Sequence, residues 1–579
     1  MRYHVLACDY DGTLATGGQL LDDTRAALER VRATGRRLIL VTGRVLVDLQ
    51  RVCPNLDPFE VVVAENGAVL YRPATRELRT LAEPPPPALA EAIAARGIPG
   101  VGYGQVIVAS WEPHESALLD VVRELGLEMQ VIFNKGAVMM LPSGVNKGSG
   151  LNAALEAIHI SPHNVVGVGD AENDHALLAA CECGVAVANA LPMLRERADW
   201  VTAGANGAGV IELCDRLVAD DLAELAPRLA RHDLVIGTDL EGRPVTVPAY
   251  GTSVLLAGPS GGGKSTTATA FLERMEEQKR QYCLLDPEGD HGNLPGAVIL
   301  GSEHAPPAAK DIEKLLDKPG DSAVVSLLGL ALADRPAFFD GLLPRLEAQR
   351  AASGRPHWIV VDEAHHFAPD RNTGAAGATD GPDVGDAVNL MLITVHPAHV
   401  AKWLLKQVHA VVIMGIAPES TIQEVASVIH ARPPELDGGP LARGEGLLWR
   451  LDREPGADGA LTRFRIDPPR SERRRHIRKY AEGELPPDRS FYFKGAAGKL
   501  NLRAWNLMSF LEIGDGVDDD TWNHHLTAGD YSRWINRAIK DSELAAEIAS
   551  VERKTVAAPA DQSRRAVREA IEQRYTAPV

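Results

Sequence analysis

The chain is 579 residues long, which at about 150 residues per domain predicts three or four folded units and excludes a single small binding module. Sixty Lys and Arg against 78 Asp and Glu leave a net charge of −18, so the overall field repels phosphate backbones and any nucleic-acid site needs a local basic patch. With 45% hydrophobic and 24% charged residues, the composition buries real cores and excludes global disorder.

Six cysteines, Cys8, Cys53, Cys181, Cys183, Cys214 and Cys283, lack the paired Cys-x-x-Cys spacing of a structural zinc and read as reduced thiols of a cytoplasmic protein. The first residues reach Asp9 before a signal-peptide core forms, and no apolar run approaches about 18 residues, so no membrane partner is expected.

In chain order, Val5 to Cys8 reads as a buried strand. Leu21, Leu28 and Val31 share one helical face behind Asp22-Asp23, Gly35 ends that helix, and Leu38 to Val41 is the next strand. Further strands are predicted at Val61 to Ala64 and Val165 to Val168. This βαβ alternation over residues 1–215 predicts an α/β unit with a parallel sheet, and the proline run Pro84 to Pro87 opens a small α+β insertion, a cap at about 84–141. Residues 216–250 read as a linker helix and hairpin. A second α/β unit is expected over 251–467, a helical accessory unit over 468–556 and a flexible tail over 557–579.

Asp9-Tyr10-Asp11-Gly12-Thr13 follows the first strand directly, placing two carboxylates at the carboxyl end of a central strand, where open α/β sheets bind ligands. One carboxylate can attack phosphorus while the second hands a proton to the departing oxygen. Alone, Asp-x-Asp-Gly is as readily a solvated turn. Thr42 as a phosphate hydrogen-bonder, Lys147 as countercharge, and Gly169-Asp170-Ala171-Glu172-Asn173-Asp174 as a source of hard oxygens for Mg²⁺ complete a reaction centre.

With these four segments in order, and with Glu65-Asn66-Gly67-Ala68, Asn146-Lys147-Gly148 and Gly184 to Ala190, residues 3–215 resemble the Cof-type haloacid dehalogenase-like phosphatases. The resemblance implies a Rossmann-like sheet, Asp9 as nucleophile, Asp11 as acid/base, and Thr42 and Lys147 as phosphate binders. It also implies Mg²⁺ held by Asp9, Asp170 and Asp174, the last as ligand or supporting partner, and by the backbone carbonyl of Asp11. The short cap is closer to phosphatases of the archaeal phosphoglycolate and sucrose-phosphate types and leaves the substrate open.

Gly258-Pro259-Ser260-Gly261-Gly262-Gly263-Lys264-Ser265-Thr266 follows a strand at Val254 to Ala257 and leads into a helix, the setting that the G-x-x-x-x-G-K-S/T pattern requires. Backbone N–H groups of such a loop wrap phosphates, Lys264 reaches the terminal ones, and the Ser265 hydroxyl ligates Mg²⁺. About a hundred residues on, Trp358 to Val361 ends in Asp362, suited to hold Mg²⁺ through water, and Glu363, suited to deprotonate water. With Leu284 to His291 and Ile393 to Pro397, residues 232–467 resemble the HerA/FtsK-like ATPases. That implies a RecA-like domain using ATP and Mg²⁺, with His396 at a sensor position. Arg432, Arg443 and Arg450 are arginine-finger candidates by position only, so a homo-oligomer, a hexameric ring, is expected.

The basic run Pro468 to Lys479 reads as a solvated linker helix in preference to a nucleic-acid patch. Tyr492, Trp505, Trp522, Tyr531 and Trp534 read as core in preference to base-stacking platforms. The leading expectation is a phosphatase of small phosphorylated metabolites joined to an ATPase. A nucleic-acid motor or end-processing enzyme is the alternative, disfavoured by the cap, the Asp362-Glu363 pair and the charge.

Overall fold

Short apolar strands alternating with amphipathic helices build two parallel-centred sheets in the computed structural model of the chain. It describes residues 1–575 apart from 293, 371–388, 437–438, 452–459, 471–479, 481–482, 484, 486, 488, 496–497, 499 and 540.

The first sheet has eight strands in the order Trp200–Val201, Cys183–Ala186, Val165–Gly169, Val5–Asp9, Arg37–Val41, Val61–Ala64, Val69–Arg72 and Glu77–Thr80. The first six are parallel and the last two return antiparallel. Val5–Asp9 lies centrally and is buried throughout, as an unbroken apolar run covered on both faces should be. Helix Asp22–Ala33 buries Thr24, Ala27, Leu28 and Val31. Leu21, expected on that face, is instead the extended residue preceding the helix and is exposed. Helix Gly207–Asp220 packs on Asp22–Ala33 and closes this unit.

The cap is a four-stranded antiparallel sheet, ordered Gly102–Tyr103, Val108–Trp111, Ala137–Pro142, Met129–Asn134, with helices Pro87–Ala95 and Glu115–Glu124. Leu89, Ile93, Leu118, Val121, Val138 and Met140 give it a small core of its own. Buried Glu65 ties it down: its carboxylate accepts the backbone N–H groups of Gln105 and Val106, both at 2.8 Å, and of Ile107 at 3.2 Å.

The second sheet has eleven strands. Seven are parallel: Ala410–Met414, Val254–Ala257, Leu390–Thr394, Trp358–Val361, Tyr282–Asp286, Ser322–Ser326 and Ala297–Leu300. Glu445–Arg450, Leu461–Ile466, Leu234–Asp239 and Pro244–Val247 extend it antiparallel. The hairpin expected as part of a linker at 216–250 is therefore the edge of this sheet. Leu234, Ile236, Val245 and Val247 turn one face into its core, an alternation that reads as any two-stranded ribbon until its partner strand Leu461–Ile466 is known.

The two sheets meet at their amino-terminal edges. Arg2, His163, Asn164 and Glu182 precede or border strands of the first sheet, and Gln278, Arg280, Gln281, Arg355 and His357 precede strands of the second. Glu182 is fully buried there, bonded to Arg2 at 2.6 Å, to Arg280 at 3.0 Å and to His163 at 2.7 Å. The carboxyl edges of the two sheets consequently face away from each other.

The last unit combines a small hairpin, Phe491–Phe493 with Leu502–Ala504, and helices around a core of Phe491, Phe493, Phe510, Trp522 and Tyr531. The segment expected as a tail at 557–579 is helical over Ala560–Tyr575, because Val567, Ala570, Ile571 and Tyr575 recur at helical spacing and bury in that core. Arg470 pairs with Glu277 at 2.9 Å; the rest of the basic run from Arg473 to Lys479 lies outside the described residues.

Candidate active sites

Asp9 ends the central strand, Lys147 begins helix Lys147–Ala157, and Asp174 sits in the turn after strand Val165–Gly169. Topology brings these three loops to one carboxyl edge. Lys147 Nζ lies 2.6 Å from Asp9 Oδ1 and 2.5 Å from Asp174 Oδ1, with all three side chains buried. Burial and then the neighbouring Asp174 charge push Asp9 up, against the pull of Lys147, to about 7. Lys147 rises: burial lowers it, and the Asp174 and Asp9 charges outweigh that.

Asp174 is committed to the protein at both oxygens, since Oδ2 accepts the backbone N–H groups of Asp170 and Ala171 at 2.9 Å each. Asp9 Oδ2, by contrast, is buried with no hydrogen-bond partner. Asp9, Asp170 and Asp174 present carboxylate oxygens within 4.8 Å of one another. Three buried carboxylates faced by the ammonium groups of Lys147 and Lys135 retain net negative charge, and hard oxygens are the donor set of Mg²⁺. The residues fit the ion, with Asp9 Oδ2 and Asp170 as the side-chain donors and Asp174 as the group that positions Asp170 and Lys147. The turn is tight enough to require Gly12: at φ +82° a Cβ there would stand 2.3 Å from Asp170 Oδ2.

Asp11 is paired outside the Asp9–Lys147–Asp174 cluster. Its carboxylate is gripped by Arg44, Nε to Oδ2 at 2.6 Å and Nη2 to Oδ1 at 2.7 Å, a two-point charge-assisted pairing. The buried Thr42 hydroxyl accepts the Arg44 N–H at 3.1 Å, tying the second motif to the same pair. Lys135, at the tip of the cap hairpin between Met129–Asn134 and Ala137–Pro142, reaches across to Asp170. Asn189 Nδ2 also donates to Asp170, at 3.2 Å. Sequence reading did not single out Lys135 as functional. Its Asn-Lys-Gly turn is visible, but which core residue it meets depends on how the cap docks.

At the second sheet, Gly258 to Gly263 loops between strand Val254–Ala257 and helix Lys264–Glu277. Gly258 has φ +154° and passes so close to the neighbouring strand that a Cβ would lie 2.4 Å from the Met414 carbonyl oxygen. Lys264 Nζ donates to the carbonyls of Gly258 and Pro259, both at 3.0 Å, and so lies folded back on its own loop. Ser260, Gly261, Gly262, Gly263, Ser265 and Thr266 line the same turn and first helical residues. Asp362 and Glu363 leave the adjacent strand Trp358–Val361, with Asp362 Oδ1 accepting the Glu363 N–H at 3.0 Å. Burial, then the Asp362 charge, raise Glu363 to about 7 although Lys264 pulls it down. His365 stands 3.4 Å from Glu363 Oε2 and 3.0 Å from Thr394 Oγ1, and His396 packs its ring at 5.4 Å from that of His365. Arg335, not singled out in the sequence, donates to the Pro287 carbonyl at 3.2 Å at this same edge. Of the positional candidates, Arg450 bonds Thr246 O at 2.7 Å on the outer strands.

The accessory unit's Trp522, Tyr531 and Trp534 are buried, as core aromatics should be, while Trp505 is 43% exposed and Tyr492 half-buried. His525 bonds Asp530 at 2.8 Å.

Residues 6–90 and 115–213 match the haloacid dehalogenase-like hydrolase family. The phosphoglycolate phosphatase of Methanothermobacter thermautotrophicus is 33% identical over 218 residues, 37% of this chain and 98% of that protein. That of Natronomonas pharaonis is 31% identical over 223 residues, 36% of this chain and 96% of its own. Phosphoglycolate phosphatase 2 of Saccharolobus solfataricus is 26% identical over 232 residues, 38% and 94%. Similarity of that extent, across nearly the whole of each relative, shows that the chain belongs through its amino-terminal unit to the haloacid dehalogenase-like hydrolases.

Proposed function

We propose that the amino-terminal unit is a Mg²⁺-dependent phosphomonoesterase for small carboxylate-bearing phosphate esters of the phosphoglycolate class, and that the second unit binds and hydrolyses ATP. The observation that carries the first reading is the buried Asp9–Lys147–Asp174 cluster with its unsatisfied Asp9 oxygen. In the reaction, a carboxylate oxygen of Asp9 attacks phosphorus, the ester P–O bond breaks, and Asp11, released from Arg44 and protonated, gives its proton to the leaving alkoxide. Asp11 then takes a proton from the water that cleaves the aspartyl-phosphate. Lys147 offsets the phosphoryl charge from its buried seat. Mg²⁺, when bound, neutralises phosphoryl oxygens. A turnover screen of phosphoglycolate, sugar phosphates, nucleotides and DNA 3′-phosphate ends tests the reading: preference for phosphoglycolate supports it, and preference for nucleotides or DNA ends sinks it.

The substrate class rests on Lys135, a cap cation hanging over the catalytic edge and 45% exposed. A substrate carboxylate beyond the phosphate meets this ammonium. Because a hydrogen bond to a charged group contributes about 1.5–3 kcal/mol, Lys135→Ala should raise KM for phosphoglycolate about tenfold or more. Hydrolysis of p-nitrophenyl phosphate, which has no carboxylate, should change little. Equal losses on both substrates would show that Lys135 supports the site and does not read the substrate.

The ATPase reading is supported by the loop at Lys264 and by Glu363, whose raised pKa suits a base working near neutral pH. Lys264→Ala should lose nucleotide binding. Glu363→Gln should retain it and slow hydrolysis by about 10²–10⁴. Equilibrium binding of labelled ATP alongside phosphate release distinguishes the two, and parental hydrolysis in Glu363→Gln refutes the role. The expected homo-oligomeric ring is part of this reading, and light scattering with and without ATP and Mg²⁺ tests it: a monomer under both conditions refutes the ring.

A further inference from the structure

We propose that the carboxyl-terminal unit holds a binding site for a nucleotide unit, a phosphate carried beside an aromatic base, separate from both catalytic edges. Its seat is a cavity of about 540 Å³ lined by the loop Arg489 to Lys494 on one side and by His525, Asp530 and the helix from Arg533 to Ala538 on the other. That volume lies within the roughly 300–1,000 Å³ of ordinary small-ligand sites.

The lining is cationic in a chain that is strongly anionic overall. Arg489, Lys494, Arg533 and Arg537 all border the cavity, against the single carboxylate of Asp530. Asp530 is already engaged by Arg533 at 2.7 Å and by His525 at 2.8 Å. Among the described residues, the side chains of Arg489, Lys494 and Arg537 have no ion-pair partner, and all three are exposed. In the same unit the exposed Arg533 and the partly exposed Arg568 each reach a carboxylate. Three unpaired cations converging on one hollow repel one another unless an anion joins them.

The floor is aromatic. The buried rings of Phe491 and Trp534, centroids 5.4 Å apart, close it from beneath, and half-buried Tyr492 at its side offers the ring for a base. Trp534 is locked by its Nε1–H donating to the Arg489 carbonyl at 2.9 Å, which fixes the loop bearing Arg489 against the helix bearing Arg537. That helix is π-helical over Ile535–Ile539, a widened turn that is uncommon and frequent at functional sites. Cations at the rim for phosphate and a ring at the wall for a base are the two contacts by which sequence-tolerant nucleotide sites work.

The experiment measures fluorescence anisotropy of a labelled eight-residue oligo-dT with the full chain at low salt, and calorimetry of dTDP in the Lys264→Ala background, where the P-loop is disabled. At least one probe is expected to bind. Arg489→Glu/Arg537→Glu should weaken that binding tenfold or more and flatten its salt dependence, whereas Arg537→Lys should retain most of it. Both substituted positions are exposed, so thermal unfolding should match the parent. Competition of dTDP against the oligonucleotide assigns a free nucleotide, and binding of the oligonucleotide without competition assigns a strand. Absence of binding by both probes, or affinity and salt slope unchanged in the double variant, overturns the site. Phosphatase and ATPase turnover serve as independent readouts and should not change with these substitutions.

Discussion

Asp9→Asn should reduce phosphoester hydrolysis to background while ATP hydrolysis continues. The substitution preserves volume and removes the carboxylate proposed as nucleophile at the end of the central strand. It does not strand the buried ammonium, because Lys147 keeps Asp174 at 2.5 Å. It also removes the buried carboxyl that burial and the neighbouring Asp174 charge raise to about 7. The fold should therefore survive, with thermal unfolding close to the parent. Loss of a nucleophile in a concerted site removes nearly all catalysis beyond binding and electrostatics, on the order of 10⁶ in a well-studied hydrolase. Parental turnover in Asp9→Asn would falsify the assignment and shift attention to Asp170. Asp11→Asn should be less severe, at about 10²–10⁴, since a proton can come from water. The difference between the two variants tests whether the carboxylate held by Arg44 is the acid/base.

What was legible in the sequence was whatever is written locally. The strand boundaries at Cys8, one residue short of the observed end, and at Val41, Ala64 and Ala257 follow from apolar runs meeting a polar or glycine residue, and the turn from Gly258 into a helix from its glycine run. What escaped is written in pairs far apart along the chain. Arg44 grips Asp11 across 33 residues and Lys135 meets Asp170 across 35. Nothing in either turn specifies the partner, because the cap's angle of docking is set by Glu65 accepting three N–H groups about 40 residues away. The helix Ala560–Tyr575 was missed for another reason. Its mean composition is polar, with Asp561, Gln562, Arg565 and Glu569 exposed, and only the spacing of Val567, Ile571 and Tyr575 reveals the buried face.

Glu182→Ala should destabilise the docking of the two sheets more than any surface change. The carboxylate satisfies Arg2 and Arg280, which are 10% and 2% exposed at their side chains. Its removal leaves two buried guanidinium groups facing each other, and breaking a buried pair in this way costs about 3–5 kcal/mol. Replacing all three by apolar residues of similar size, Arg2→Met, Glu182→Leu and Arg280→Met, should recover much of the loss, because the desolvation of the ions goes with them. The pH dependence follows from the same cluster. Burial raises Glu182, but Arg280, His163 and Arg2 outweigh it and hold the carboxyl well below its usual range. Its contribution is present above the unfolded value of about 4.3 and lost as pH falls below that. Burial holds His232 down at about 4, and His357 is likewise lowered by burial. These rings bind protons only on unfolding, so their contribution is lost earlier, as pH falls from about 6.5, and amounts to about 3 kcal/mol for His232 by pH 4. Chemical denaturation at pH 7, 5.5, 4.5 and 3 should therefore show the parent losing stability in two steps, with Glu182→Ala lacking the lower one. If the variant unfolds as the parent does at every pH, the node does not hold the units together. Because the proposed phosphatase and ATPase edges face away from each other, any effect of phosphoglycolate on ATP turnover must cross this junction. Equilibrium coupling is reciprocal, so the loss of such an effect in Glu182→Ala, with both separate activities intact, would identify Glu182 as its route.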